Sequence, residues 1–247
     1  MNRKLALANI VAAGAVASAL CAPANAADLG RRTYYKEPLP PLVQPLYNWT
    51  GFYVGANFGG TFSNEGITNG LGFSTDPSGV LGGFQAGYNY QFSPTMLVGV
   101  ELEMDWTSAT GTSNFNTGAT AGSFTSNHNW YDTLDGRLGY VMGTWMFYVK
   151  GGIAWMNADY MMTAAGAVVG AGSTNITRTG WNIGVGAEFM IMPQWSAKAE
   201  YNYLDFGSDS VNFPIGVVGG SRVNTEVHEF KVGLNYHLPP GTLFGRW

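Results

Sequence analysis

The chain has 247 residues, of which only 11% are Asp, Glu, Lys or Arg, compared with roughly 25% in soluble domains. Its formal net charge of −4 makes nucleic acid an unsuitable partner, because phosphate backbones bind to basic surfaces. Cys21 is the single cysteine, so any product that lacks it has neither disulfides nor thiol chemistry.

The first residues have the organisation of a secretory signal peptide. Residues 2–4 carry two positive charges, residues 5–21 are apolar, and residues 24–26 form a small-x-small cleavage motif. We therefore predict that residues 1–26 are removed, which leaves 221 residues with a formal charge of −6. Residues 27–48 contain four prolines and predict an irregular periplasmic segment.

Residues 49–238 contain eight segments in which apolar residues alternate with small or polar ones. The segments lie near 52–59, 83–92, 96–106, 133–140, 145–155, 181–189, 195–203 and 230–238. In the third segment one face holds only Met96, Val98, Val100, Leu102, Met104 and Trp106. Strands with one apolar face and aromatic ends are typical of transmembrane barrels, in which that face contacts lipid.

The connections between these segments alternate in length. Polar stretches near 62–78, 107–128, 157–176 and 207–223 predict long loops, whereas 93–95, 142–144 and 192–194 predict tight turns. This alternation predicts an all-β, eight-stranded antiparallel up-and-down barrel with both termini in the periplasm. Seven tryptophans fall near predicted strand ends, where they would form interfacial girdles: Trp49, Trp106, Trp130, Trp145, Trp155, Trp181 and Trp195.

Charged residues recur on the inward face. An eight-stranded barrel is only wide enough for side chains to fill it, and unpaired charges inside it are costly. We therefore predict a ladder of paired charges in the lumen, with Asp105 and Glu229 on the same face. Its members are Glu101, Glu103, Asp135, Arg137, Lys150, Glu188, Lys198, Glu200 and Lys231. The alternative is that these groups line an ion or solute pathway.

The residues suggest no catalytic, metal or cofactor site. The three histidines are not at metal-ligand spacing, and a catalytic group would require His128 or His228 to meet Asp132 and a loop serine. A haem site at the outer rim, formed by His128, His228 and the pair Met161 and Met162, remains an alternative.

The last predicted strand carries an assembly signal. Lys231, Gly233, Tyr236 and Leu238 have the polar, glycine, aromatic and hydrophobic order that the barrel-assembly machinery reads. That signal usually ends a chain, whereas here residues 239–247 follow, and we expect them to form a periplasmic tail.

Four stretches carry a resemblance to a known family: YNWTGFYVGANFGG, DGRLGY, WSAKAEYNYLDFG and FKVGLNYHL. Together they resemble the small porin-like outer-membrane immunogenic proteins of alphaproteobacteria, over about residues 47–238. The resemblance implies an OmpA-like eight-stranded barrel that is exposed at the cell surface, and some such proteins bind haemin. Asp135 stands where the family motif has arginine, which makes the lumen more negative.

We expect a non-catalytic protein of the Gram-negative outer membrane, with an envelope-structural role and surface interactions through four long extracellular loops. Its expected partners are outer-membrane lipid, the assembly machinery and host or environmental surface ligands, and not nucleic acid. A narrow porin and a haem-binding surface receptor are the alternatives.

Overall fold

The structure is a computed structural model that describes residues 47–68, 73–116, 118–166, 170–211 and 221–239. The predicted signal peptide, most of the proline-rich segment and the tail after Pro239 lie outside the described residues. No helix in the described ranges is long and apolar enough to cross a membrane. The described elements are all strands: β1 (Gly51–Thr68), β2 (Phe73–Thr75), β3 (Ser78–Ser93), β4 (Met96–Thr107), β5 (Thr110–Asn116), β6 (Thr120–Met142), β7 (Trp145–Gly166), β8 (Gly170–Met192), β9 (Trp195–Val211) and β10 (Ser221–His237).

Eight of these strands form a closed antiparallel ring. The order β1, β3, β4, β6, β7, β8, β9, β10 returns to β1, because β1 pairs with β3 on one side and with β10 on the other. The two short strands extend the ring at one end, where β2 pairs with β1 and β5 pairs with β6. The predicted eight-stranded antiparallel barrel is confirmed.

The three tight turns lie at the other end of the ring, together with residues 47–50 and Leu238. We call this end the turn end and the opposite one the loop end. Two residues separate β3 from β4, β6 from β7, and β8 from β9. Gly143 has φ +64°, a left-handed conformation that glycine adopts without steric cost, which suits it to the turn between β6 and β7.

The outward face carries a continuous apolar band. Val100 and Val185, near its middle, are 56% and 51% exposed, which suits contact with hydrocarbon rather than water. Aromatic residues border the band, and the border toward the loop end is formed by Trp106, Trp130, Trp155, Trp181 and Tyr203. Trp49 was wrongly predicted to belong to such a girdle: it is fully buried inside the turn end.

The four predicted long loops were largely wrong, because the strands continue beyond the apolar band. β7 runs to Gly166 and β8 starts at Gly170, and β5 together with the first part of β6 occupies most of 107–128. β1 and β2 enter 62–78, while β9 and β10 enter 207–223. In these extensions the polarity of the two faces is reversed. Met156, Ala158 and Tyr160 are buried inside, whereas Asn157 and Asp159 face outward.

Candidate functional site: the barrel interior

The strand alternation brings all nine predicted ladder residues into the interior, where each is at most 5% exposed. They come from β4, β6, β7, β8, β9 and β10, so the network ties together six of the eight ring strands. Asp105 and Glu229 lie in the same interior and are equally buried.

Lys150 lies at the centre of this network. Its Nζ is 2.6 Å from Glu103 Oε2, 2.7 Å from Glu200 Oε1 and 3.2 Å from Glu101 Oε1. Asp135 Oδ2 lies slightly farther away, at 3.4 Å. One ammonium group therefore serves four carboxylates from three strands.

Two further lysines bind the same carboxylates from the opposite wall. Lys198 Nζ lies 2.6 Å from Glu103 Oε1, and Lys231 Nζ lies 2.9 Å from Glu103 Oε2. Three carboxylates, Glu101, Glu103 and Glu200, converge closely enough to hold a metal ion. The lysine ammonium groups already occupy their oxygens, so this point is an ion-pair centre.

Arg137 closes the network toward the turn end. Its guanidinium binds Glu101 at 3.3 Å and Glu188 at 3.1 Å, and it stacks 3.9 Å from the ring centre of Tyr148. Tyr53 Oη accepts a hydrogen bond from Arg137 and donates one to Glu101. Sequence reasoning did not find the role of Tyr148, because an inward tyrosine gives no signal of its own among so many aromatic residues.

Apolar side chains form a layer at each end of the charged region. At the turn end this layer consists of Trp49, Leu97, Val141, Met146, Tyr148 and Met190. Trp49 donates its backbone N–H to Gln91 and packs edge-on against His237. At the loop end a larger apolar cluster includes Phe124, Tyr131, Met156, Tyr160, Leu204 and Val227.

A buried carboxylate, Glu65, organises the loop-end cluster beyond the apolar band. It accepts hydrogen bonds from His128, Thr75, Tyr160 and Thr225, which belong to β6, β2, β7 and β10. Burial raises the pKa of Glu65, but the hydrogen bond and charge of His128 and the other donors outweigh burial, so the pKa lies below its ordinary value. Glu65 therefore stabilises the fold above its ordinary pKa of 4.5, and this stabilisation is lost as the pH falls through the lower folded value.

His128 and His228 do not come together in the predicted catalytic or haem-binding group. His128 is 2% exposed and its Nδ1 is hydrogen-bonded to Tyr131, with Ser63 Oγ 3.5 Å away. His228 lies on the outer wall against Tyr201 and Tyr203. The two histidines are therefore on opposite faces of the barrel wall and cannot ligate one haem together. Of the methionines proposed with them, Met162 is buried and Met161 faces outward.

The residues of the predicted assembly signal occupy both faces of β10. Lys231 points into the lumen, and Tyr236 packs against Trp195 on the outer wall at 5.1 Å between ring centroids. A side chain at Gly233 would meet the Ala56 carbonyl oxygen at 2.9 Å, so close strand packing favours glycine there. The backbone N–H of Leu238 donates to Phe52 and closes the ring at the turn end.

A closed antiparallel ring with an apolar outer band, aromatic borders and a charged interior defines a transmembrane β-barrel of the outer-membrane class. The chain belongs to the outer membrane protein beta-barrel domain family, whose model matches residues 12–237. It is 30% identical to the 31 kDa outer-membrane immunogenic protein of Brucella melitensis, over 90% of this chain and 96% of that protein.

A second relative is the 25 kDa outer-membrane immunogenic protein of the same organism, 25% identical over 81% of this chain and 84% of that protein. Among solved structures, the outer membrane protein OprG from Pseudomonas aeruginosa is 16% identical, with a TM-score of 0.49 over 78% of this chain and 99% of that one. The resemblance to alphaproteobacterial outer-membrane immunogenic proteins is confirmed, and the outer membrane is the location that it indicates.

Proposed function

We propose that this protein is a non-conducting, non-catalytic outer-membrane barrel with an envelope-structural role, and that its loop end interacts with surface ligands. The observation that carries the proposal is the filled interior, in which an ion-pair network lies between two apolar layers. A water-filled pore would leave such charges hydrated, whereas here the ladder side chains are fully enclosed and bind one another.

A flux assay tests the closed lumen. Vesicles that contain the refolded protein should swell in an isotonic solution of a small sugar no faster than protein-free vesicles, with a general porin as the positive control. Solute entry that increases with the amount of barrel would refute the closed state and support the narrow-porin alternative.

The surface role is supported by the polar outer wall of the loop end. Asp159 accepts hydrogen bonds from Asn129 at 2.9 Å and from Asn175 at 2.7 Å, and these bonds lower its pKa. Asn157 donates a hydrogen bond to Asn175, so the hydrogen-bond network extends over β6, β7 and β8. Such a hydrogen-bonding surface above the lipid suits contact with polar ligands of a host or of the environment.

Shortening the β7–β8 hairpin tests this role. Asn157 pairs with Thr177, so replacing residues 158–176 with a two-residue Asn-Gly turn keeps the register of the remaining strands. Cells with the shortened protein should bind host-cell or environmental surfaces less than cells with the full hairpin, at equal amounts of folded barrel. Unchanged binding would remove the hairpin from the surface role.

We further propose that both termini lie in the periplasm, since residues 47–50 and Leu238 share the turn end and short turns face the periplasm in this class. Cysteine labelling tests this orientation, because Cys21 is the only native cysteine and lies in the predicted signal peptide. On intact cells an impermeant maleimide should label Asn116→Cys at the loop end but not Thr144→Cys at the turn end. The reverse pattern would overturn the orientation.

β10 is our proposed recognition element for the barrel-assembly machinery. The aromatic signal residue Tyr236 and the hydrophobic Leu238, which directly follows the strand, lie at the turn end, where β10 completes the ring against β1. Outer-membrane lipid is the second proposed partner, through the apolar band.

A further inference from the structure

The interior contains more carboxylates than cations. Within the apolar band seven buried acidic side chains face inward, namely Glu101, Glu103, Asp105, Asp135, Glu188, Glu200 and Glu229. The described buried cations there are Arg137, Lys150, Lys198 and Lys231. His237, 3.5 Å from Glu188 at the turn end, can offset at most one of the three surplus charges. Uncompensated charge in an enclosed interior is strongly destabilising, so further positive charge is needed.

The surplus is greatest toward the loop end. Asp105 and Glu229 share a single ammonium group, with Lys231 Nζ at 2.9 Å from Asp105 Oδ2 and 3.2 Å from Glu229 Oε2. Lys231 is also bound by Glu103. Among the described residues, neither Asp105 nor Glu229 has a second cation within ion-pair distance.

Several buried oxygens in this region accept no hydrogen bond from any described residue, among them Asp105 Oδ1, Glu229 Oε1 and Asn57 Oδ1. Asn57 and Asp105 both pair with Gly83, which has no side chain to separate them. Asp105 Oδ1 leans over Gly83, because a Cβ at that position would come within 2.2 Å of it. Two carboxylate oxygens and one amide oxygen thus remain free in the most negative part of the interior.

We propose that Asp105, Glu229 and Asn57 form an internal binding site for a hard cation of the Ca²⁺ type. Ca²⁺ takes carboxylate and amide oxygens in flexible geometry, and water can complete its coordination shell. Its two charges would offset most of the surplus. Because apolar layers close both ends of the interior, the ion is taken up while the barrel folds and exchanges slowly afterwards.

The test compares barrels refolded with millimolar Ca²⁺ or with a chelator at equal ionic strength. After gel filtration in calcium-free buffer, elemental analysis should find about one Ca²⁺ per barrel. Asp105→Asn and Glu229→Gln should lose it, whereas Asp76→Asn, an exposed acid, should retain it. Wild type refolded with Ca²⁺ should also unfold at a higher urea concentration than wild type refolded with the chelator.

Three results would overturn the proposal. The first is wild-type protein that retains no Ca²⁺ and has the same urea midpoint in both conditions. The second is retention that Asp105→Asn and Glu229→Gln leave unchanged. If these variants are instead stabilised equally with and without Ca²⁺, protons carry the surplus charge and the site is refuted. The wild-type measurement does not depend on whether any variant folds.

Discussion

Arg137→Ala removes a cation that two buried carboxylates share. The guanidinium bridges Glu101 and Glu188, donates to Tyr53 and stacks on Tyr148, and its side chain is completely enclosed. The variant therefore loses charge compensation and packing at the same point.

The expected loss of folding free energy depends on which partners Glu101 and Glu188 keep in the variant. Removing one partner of a buried ion pair costs about 3–5 kcal/mol. Glu101 keeps Lys150 and Lys198, while Glu188 keeps hydrogen bonds from Ser196 and Asn235. We therefore expect a loss at the lower end, about 3 kcal/mol. Arg137→Lys keeps the charge but loses the two-carboxylate bridge and the flat stacking, so it should cost about 1–2 kcal/mol.

Urea titration of both variants in lipid vesicles measures these free energies of unfolding. Adding Glu188→Gln to Arg137→Ala should recover part of the loss, because it removes a carboxylate that has lost its cation. A cost for Arg137→Ala below about 1 kcal/mol, or no recovery in the double variant, would mean that water already compensates the lumen charges. The closed interior would then be wrong.

Three further predictions concern the lipid face, the loop end and assembly. Val100→Arg should cost about 2–4 kcal/mol in the same titration and Val100→Ala far less, whereas equal costs would place Val100 outside the hydrocarbon. Glu65→Gln should lose about 2 kcal/mol at pH 7 and should flatten the loss of stability that wild type shows below pH 4.5, whereas parallel pH curves would exclude Glu65 as the cause. Tyr236→Ala should lower the amount of heat-modifiable barrel in outer membranes more than deletion of residues 239–247 does, and the opposite order would move recognition into the tail.

The sequence predicted the membrane-spanning part well, because one physical rule governs it. Lipid requires an apolar outer face, so alternation alone assigned Val100 outward and Lys150 inward. Beyond the band water replaces lipid, and the outer face becomes polar while the inner face becomes apolar. Asn157, Asp159 and the other polar residues there were therefore taken for loops. The reversed alternation of Met156, Ala158 and Tyr160 was the signal that identifies the longer strand.

The interior was only partly predictable. Alternation assigns each charged residue to the lumen, but not its partners, which depend on strand register and tilt around the ring. Lys231 and Glu103 are 128 positions apart and meet across the interior. The hydrogen bond from Thr225 to Glu65 likewise joins residues that are 160 positions apart. The burial of Trp49 depends on the chain entering the turn end before β1, which no local pattern reveals.

The most direct test of the closed lumen is single-channel recording with the purified, folded barrel in planar bilayers. The filled interior predicts no steady conductance above that of the protein-free membrane, at either polarity. A stable, large, cation-selective conductance, which Arg137→Ala changes without lowering the free energy of unfolding, would contradict it. The protein would then be a narrow porin.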